Sequence, residues 1–133
     1  MSKKKSMSKK KIMVVDDNPD IIYSVEQGLK ALDESYEIIG VETGEDCLKI
    51  LKENKVPDLI LLDIMLPEMS GWEILSRLRE KPEWKDIPVV FLTARTDETA
   101  RKAGGFLGDD YIEKPFQPEE LKKRIDSILG KKR

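Results

Sequence analysis

The sequence has no histidine and only one cysteine, Cys47, among its 133 residues. Without histidine, the chain cannot build a His-based catalytic triad, most kinds of catalytic zinc site, or a phosphohistidine of its own. A single cysteine excludes an internal disulfide and suits a reducing compartment, so we expect a cytoplasmic protein.

Long apolar runs are also missing. The longest, such as residues 59–62 and 89–92, are far shorter than the roughly 20 residues that cross a bilayer, so no membrane span is expected. The basic N-terminus leads into an apolar run, Ile12 to Val15, that is too short for a signal peptide. Neither G-x-x-x-x-G-K-S/T nor G-x-G-x-x-G occurs, which argues against nucleotide binding.

Charged residues make up 38% of the chain, but the two signs are unevenly spread. Six lysines lie in residues 1–11 and three basic residues in 131–133, so residues 12–130 hold 15 basic and 26 acidic side chains, a net charge of −11. An acidic body argues against broad nucleic-acid contact. The pattern predicts one domain over residues 11–130, with a basic disordered tail over 1–10 and a basic tail over 131–133.

Short apolar runs alternate with helical patterns, an arrangement typical of βα units that build a parallel sheet. The predicted strands cover residues 11–16, 36–42, 58–63, 87–93 and 109–113, and the predicted helices cover 19–32, 45–53, 72–78, 97–103 and 118–129. Several strands are apolar at consecutive positions, as expected where helices cover both faces of a sheet. The sequence therefore predicts one α/β domain of five strands and five helices.

Polar residues follow four of the predicted strands. Asp16 and Asp17 come after the first strand, Asp63 ends the third, and Thr93 and Lys114 come at the ends of the fourth and fifth. In open α/β sheets the carboxyl ends of the strands line the ligand crevice, so we expect these side chains to converge. Each carboxylate pair repels by about 1 kcal/mol at 4 Å in water, and more in a protein, so the cluster favours a bound Mg²⁺.

This set of groups is typical of a phosphoryl site. With Mg²⁺ and Lys114 neutralising oxygens and Thr93 donating a hydrogen bond, Asp63 is a candidate nucleophile for a phosphoryl group. Taken singly, each residue has an ordinary interpretation, such as a helix cap, a β-branched strand residue or a solvated surface charge. The agreement of four strand ends is what favours the phosphoryl site.

Four motifs, VVDDNP, LLDIMLPEMSGWE, FLTA and DDYIEKPF, occur in this order over roughly residues 10–129. Together they resemble the receiver domain of two-component response regulators. The resemblance implies a flavodoxin-like, doubly wound sheet of five parallel strands in the order 2-1-3-4-5 with five helices. It also implies a signalling phosphoprotein and not an enzyme, with at most slow self-phosphorylation from small donors and slow self-dephosphorylation.

The resemblance further implies a role for each acidic residue. Asp63 corresponds to the phosphoacceptor of the family. Asp17 and Asp63 would bind Mg²⁺ directly, Asp16 would bind it through water, and the backbone carbonyl of Met65 would be another ligand.

The same resemblance assigns roles at the fourth and fifth strands. Thr93 and Lys114 match the family's threonine and lysine, and the bond between Lys114 and Pro115 is typically cis in these proteins. Thr93 and Tyr111 would form the switch that alters the face made by the fourth predicted helix, the fifth strand and the fifth helix. Some members of the family form homodimers through this face. The resemblance therefore allows either a homodimer or a monomer, and both alternatives stay open.

The implied partners are a histidine kinase or a histidine phosphotransfer protein as donor and a downstream protein whose identity the sequence does not give. Only residues 130–133 follow the last predicted helix, so no DNA-binding domain is expected in this chain. It is interpreted as a stand-alone receiver or as one whose output domain was removed.

Several departures from the family pattern bear on the predictions. Thr93 and Lys114 are 21 positions apart, one fewer than expected, which predicts a shortened fourth helix or following loop. Met65 and Arg95 occupy the two variable positions that tune phosphoryl lifetime in the family. Because neither is an acid or an amide that could orient attacking water, we expect slow self-dephosphorylation.

Two rival hypotheses stay open at this point. A haloacid-dehalogenase-like phosphatase also uses an aspartate nucleophile, Mg²⁺, threonine and lysine on a parallel sheet. Its nucleophile follows the first strand with a second acid two residues later, whereas residues 16–19 here read Asp-Asp-Asn-Pro. The second rival is a receiver-shaped scaffold that binds partners without phosphorylation, although every side chain required for phosphorylation is present.

Overall fold

The structure, a computed structural model, describes residues 9–93 and 110–131. Within these ranges strands and helices alternate as β1 (Lys10–Val15), α1 (Pro19–Leu32), β2 (Tyr36–Val41), α2 (Gly44–Lys52), β3 (Leu59–Asp63), α3 (Gly71–Glu80), β4 (Val89–Thr93), β5 (Asp110–Glu113) and α4 (Pro118–Lys131). The helix predicted over residues 97–103 lies outside the described residues, so the described ranges contain four helices instead of the five predicted.

The five strands form one parallel sheet in the order β2-β1-β3-β4-β5, which confirms the predicted order. β1 lies between β2 and β3, so the chain first winds toward one edge of the sheet and then toward the other. Such a reversal opens a crevice at the carboxyl ends of the two strands beside it. In this chain those are the ends of β1 and β3.

Helices cover both faces of the sheet, and each face has its own apolar core. Because alternate residues of a strand point to opposite faces, Met13 and Val15 belong to the core beneath α2 and α3, whereas Ile12 and Val14 belong to the core beneath α1 and α4. Residues 59–62 of β3 and 89–92 of β4 are fully buried. This burial explains why the central strands are apolar at four consecutive positions.

Side-chain caps fix where three of the helices begin. The N-cap residues Asn18, Thr43 and Ser70 each accept a backbone N–H from the first turn, at 2.9, 3.0 and 3.3 Å. Each cap occupies a donor that the helix itself leaves unpaired. The caps of α1 and α3 are important for the site because these helices start directly after the loops that follow β1 and β3.

The last helix is slightly longer than the sequence pattern indicates. Gly130 was expected to end it, but α4 continues through Gly130 to Lys131. A glycine that ends a helix usually takes a left-handed conformation, and no glycine among the described residues has a positive φ.

Across residues 9–93 and 110–131, we find no helix with both the length and the apolar character needed to cross a membrane.

Candidate functional site

Three carboxylates meet at the carboxyl edge of the sheet. Val15 of β1 is the register partner of Leu62 of β3, so the next residues, Asp16 and Asp63, lie side by side where the two strands end. Oxygens of Asp16, Asp17 and Asp63 lie within 4.8 Å of one another. Asp16 is 1% exposed and Asp63 is 6% exposed, whereas Asp17 is exposed.

Asp16 is held in place by the turn that leads into α1. Its backbone N–H continues the ladder by donating to Val41 at 3.0 Å, and its Oδ1 accepts the N–H of Asn18 at 2.9 Å. Asn18 in turn caps α1. The Asp-Asp-Asn-Pro sequence thus orients a buried carboxylate and starts a helix in one turn. Sequence analysis identified the acids here but not the backbone contact from Asn18.

Lys114 places one ammonium group between the two buried carboxylates. Its Nζ lies 2.7 Å from Oδ2 of Asp16 and 3.6 Å from Oδ2 of Asp63. Lys114 follows β5 directly, and its peptide bond to Pro115 is cis. The structure therefore brings the predicted lysine, which follows the edge strand β5, close to the predicted acids.

Asp63 lies in an environment that disfavours its ionised form. Burial raises the pKa of its carboxyl group, Lys114 lowers it, and the charges of Asp16 and Asp17 raise it again. The N–H of Met65 donates to its Oδ1 at 3.2 Å and also lowers the pKa. The net pKa of Asp63 is above its ordinary value.

Among the described residues, the site holds more negative than positive charge. Three carboxylates lie beside one ammonium group there, and like charges at these distances repel strongly outside bulk water. Carboxylate oxygens are the ligands that hard divalent cations such as Mg²⁺ prefer. The donor set of Asp16, Asp17 and Asp63 therefore fits a Mg²⁺ ion, which would correct the charge imbalance.

The loop after Asp63 is anchored at both of its ends. Ile64 and Leu66 are buried at 6% and 8% exposure, while Met65 between them points outward at 79%. The loop closes where the N–H of Gly71, the first residue of α3, donates to the carbonyl of Ile64 at 2.9 Å. Sequence analysis missed Gly71, for which the only sequence signal was a glycine directly before the predicted helix.

The two predicted switch residues lie on neighbouring strands. Thr93 ends β4 one position beyond Leu92, which is the register partner of Asp63, so its backbone lies at the same edge of the sheet. Tyr111 of β5 is partly buried against the core beneath α2 and α3, and its carbonyl accepts a 3.0 Å hydrogen bond from Arg124. Arg95, the second position expected to tune phosphoryl lifetime, lies outside the described residues.

Comparisons with known proteins agree with this geometry. A family model described as "Response regulator receiver domain" matches residues 12–126. The alkaline phosphatase synthesis transcriptional regulatory protein PhoP of Bacillus subtilis is 40% identical over 121 residues, which are 90% of this chain and 48% of that protein. The phosphate regulon transcriptional regulatory protein PhoB of Rhizobium meliloti is 38% identical over 120 residues, which are 90% of this chain and 52% of that protein.

This chain thus spans about half the length of these curated relatives. Among solved structures, the BeF3 activated DrrB receiver domain matches with a TM-score of 0.77 and 32% identity. That match covers 92% of this chain and 98% of the other. The structural match thus covers almost the whole of that receiver domain.

Proposed function

The chain belongs to the response regulator receiver domain family, and from that premise we propose that Asp63 is the side chain that accepts the phosphoryl group. Receiver domains are signalling proteins of two-component systems and are largely not enzymes. The observation that carries the proposal is the position of the Lys114 ammonium, 3.6 Å from Asp63 and 2.7 Å from Asp16, beside three clustered carboxylates.

In the proposed reaction, a carboxylate oxygen of Asp63 attacks the phosphorus of a phosphohistidine on a histidine kinase or a histidine phosphotransfer protein. The O–P bond forms as the P–N bond breaks, which leaves an acyl phosphate on Asp63 and an imidazole that takes up a proton from solvent. Lys114 lies close enough to Asp63 to contact a phosphoryl oxygen there. It would thereby offset the charge that the transfer adds to the site.

The family binds Mg²⁺ in an acidic pocket, and this chain offers such a pocket. We assign Asp17 and Asp63 as direct ligands, Asp16 as a ligand through water, and the Met65 carbonyl as a further ligand. When bound, the ion would neutralise phosphoryl oxygens. The close grouping of the three carboxylate oxygens supports this assignment.

The later steps are proposed from the family resemblance. Thr93 would contact the phosphoryl group, and Tyr111 would then change the face that the fourth predicted helix, β5 and α4 offer to a downstream protein. A homodimer through this face and a monomer are alternatives for this chain. The proposed domain covers residues 11–130. The proposed location is the cytoplasm.

The family match favours this function over the haloacid-dehalogenase-like phosphatase. A receiver-shaped scaffold that works without phosphorylation is the other alternative, and the carboxylates and the lysine required for phosphorylation disfavour it because they are present and close together. The two candidates differ in whether Asp63 becomes covalently labelled.

The test is the intact mass of the protein after incubation with acetyl phosphate and Mg²⁺. We expect one added phosphoryl group on the parent and none on Asp63→Asn, with loss of the label when a chelator replaces Mg²⁺. The mass of the labelled parent, followed after the donor is removed, gives the phosphoryl lifetime, and loss of the label within seconds would contradict slow self-dephosphorylation. Equal labelling of parent and Asp63→Asn would refute Asp63 as the acceptor.

A further inference from the structure

The first turn of α3 lies directly against the backbone of the proposed phosphoacceptor. A Cβ atom added at Gly71 would be 2.5 Å from the carbonyl oxygen of Asp63 and 2.9 Å from the Cα of Ile64. Real Cβ atoms essentially never come that close to another atom. A side chain at this position would therefore force backbone atoms to shift.

The obstacle at Gly71 differs in kind from that at other glycines. Cβ atoms added at Gly28, Gly40 and Gly44 would meet side chains of Pro118, Ile22 and Ile74, whereas at Gly71 the nearest three atoms are all backbone. The side chains of Ile22 and Ile74 can rotate, but the backbone of a paired strand cannot move away so easily. Because no described glycine has a positive φ, the requirement at Gly71 is for space and not for a special conformation.

The backbone of Asp63 has little freedom to move. It is paired with Leu92 inside the sheet, and the next N–H, that of Ile64, donates to the carbonyl of Leu92 at 3.3 Å. On the other side, α3 is held by the buried side chains of Ile74 and Leu75. A displacement forced at Gly71 must therefore be taken up by the short loop that carries the N–H of Met65.

That loop also orients the reactive carboxylate. The N–H of Met65 donates to Oδ1 of Asp63 at 3.2 Å, and the N–H of Gly71 closes the loop on Ile64 at 2.9 Å. We propose that Gly71 is a positioning residue for phosphoryl transfer, because its missing side chain lets α3 hold the loop that aims the Asp63 carboxylate. This inference rests on the proposed function of Asp63.

In-line transfer depends strongly on the placement of the attacking oxygen, and a misplacement of about 1 Å can cost on the order of 100-fold in rate. We therefore expect Gly71→Ala to slow labelling of Asp63 by acetyl phosphate at least about tenfold per folded molecule. The matched control is Gly28→Ala, whose added Cβ would press on Pro118 at 2.8 Å in the contact between α1 and α4. This control loses packing without touching the loop and should label within about twofold of the parent.

The experiment measures the folded fraction of each protein by urea unfolding and its labelling rate by intact mass, both in Mg²⁺. Affinity for beryllofluoride, a mimic of the acyl phosphate, is a second readout and should fall for Gly71→Ala but not for Gly28→Ala. If Gly71→Ala does not fold in plain buffer, all three proteins are compared in sucrose, which favours the compact state.

The outcomes separate this inference from the function on which it rests. If the parent is labelled and Gly71→Ala is labelled equally fast, Gly71 has no positioning role, and Asp63 is still the acceptor. Equal slowing of Gly71→Ala and Gly28→Ala would also overturn it, since general loss of packing would then explain both. A parent that never takes up label would remove the proposed function and this inference with it.

Discussion

Charge balance at single residues decides how the site behaves before any phosphoryl group arrives. Asp16 is buried, but its two carboxylate oxygens accept hydrogen bonds from the Lys114 ammonium at 2.7 Å and from the Asn18 N–H at 2.9 Å. Asp63 receives the Met65 N–H and the more distant ammonium. Asp17 is exposed and adds a third negative charge beside this pair. Removing its charge should therefore relieve repulsion.

We expect Asp17→Asn to raise the free energy of unfolding in a chelator by up to about 1 kcal/mol, the size of one pairwise repulsion in water. The parent should gain stability as Mg²⁺ is added, because the ion binds the folded state, and the variant should gain much less. Urea unfolding at several Mg²⁺ concentrations measures both effects. Glu83→Gln, which removes an exposed acid from the loop after α3, is the control. An Asp17→Asn protein that Mg²⁺ stabilises as strongly as the parent would rule out Asp17 as a ligand.

The sequence predicted some site residues and missed others for a physical reason. Asp63 ends a strand of the parallel sheet, and Asp16 and Lys114 each directly follow one. Strand ends meet at one edge whatever the details of packing. Gly71 acts through a close approach of two backbone segments, which depends on the path of the loop between them. No local pattern encodes that path, so the sequence contains only a glycine near a helix start.

At the scale of elements, α2 shows how a helix end is fixed by backbone conformation. Asn54 lies beyond its C-cap with a φ of 66°, in the left-handed region. The N–H of Asn54 donates to Leu51 at 3.0 Å and the N–H of Lys55 donates to Ile50 at 3.3 Å. These two bonds define a Schellman motif, in which a residue with positive φ satisfies the last carbonyls of the helix.

We expect Asn54→Ala to lower the free energy of unfolding by about 1 kcal/mol, because the left-handed conformation costs alanine roughly 1–2 kcal/mol. Asn54→Gly should be neutral or slightly stabilising, since glycine takes this conformation without that cost. Glu53→Ala, at the neighbouring position with a φ of −86°, serves as the control and should change stability little. Equal losses for Asn54→Ala and Glu53→Ala in urea unfolding would argue against a conformational cause.

Element boundaries were predicted to within one or two residues where a cap or a proline marks them. α1 was expected over residues 19–32 and has those bounds, since Asn18 and Pro19 fix its start. α3 was expected over 72–78 but covers Gly71–Glu80, and the Ser70 cap starts the helix one residue before the apolar stripe begins. Apolar periodicity reports the buried face of a helix and not the polar residues that extend its ends.

At the scale of the whole molecule, the edge of the sheet opposite the site holds the first strand and the last helix together. Lys10 of β1 lies 3.2 Å from both Asp33, at the end of α1, and Asp126 of α4. Tyr36 is a buried residue of β2, and its hydroxyl donates a hydrogen bond to Asp126. The Nζ atom of Lys122 lies 2.7 Å from Oδ2 of Asp126. Sequence analysis missed this network because Tyr36 and Asp126 are 90 positions apart.

The charged network shifts the pKa values of its two acids downward. Hydrogen bonds from the hydroxyl and the backbone of Ser35, with help from Lys10, lower the pKa of Asp33 to about 2. Burial alone would raise the pKa of Asp126, but hydrogen bonds from Lys122, Tyr36 and Lys10 outweigh it, so this pKa is also lowered. Lowered pKa values mean that the folded state favours the ionised acids, and the unfolded state binds more protons in acid.

The stability that this network supplies is therefore full above about pH 4, the ordinary pKa of an aspartate, and is lost as the pH falls toward 2. We expect Asp33→Asn to lower the free energy of unfolding by roughly 1–2 kcal/mol near neutral pH, with the difference from the parent shrinking between about pH 4 and 2. Urea unfolding across this range measures the difference.

Glu34→Gln removes the same charge from an exposed neighbour and should follow the parent at every pH. A gap between parent and Asp33→Asn that stays constant down to pH 2 would mean that packing, and not ionisation, accounts for the loss.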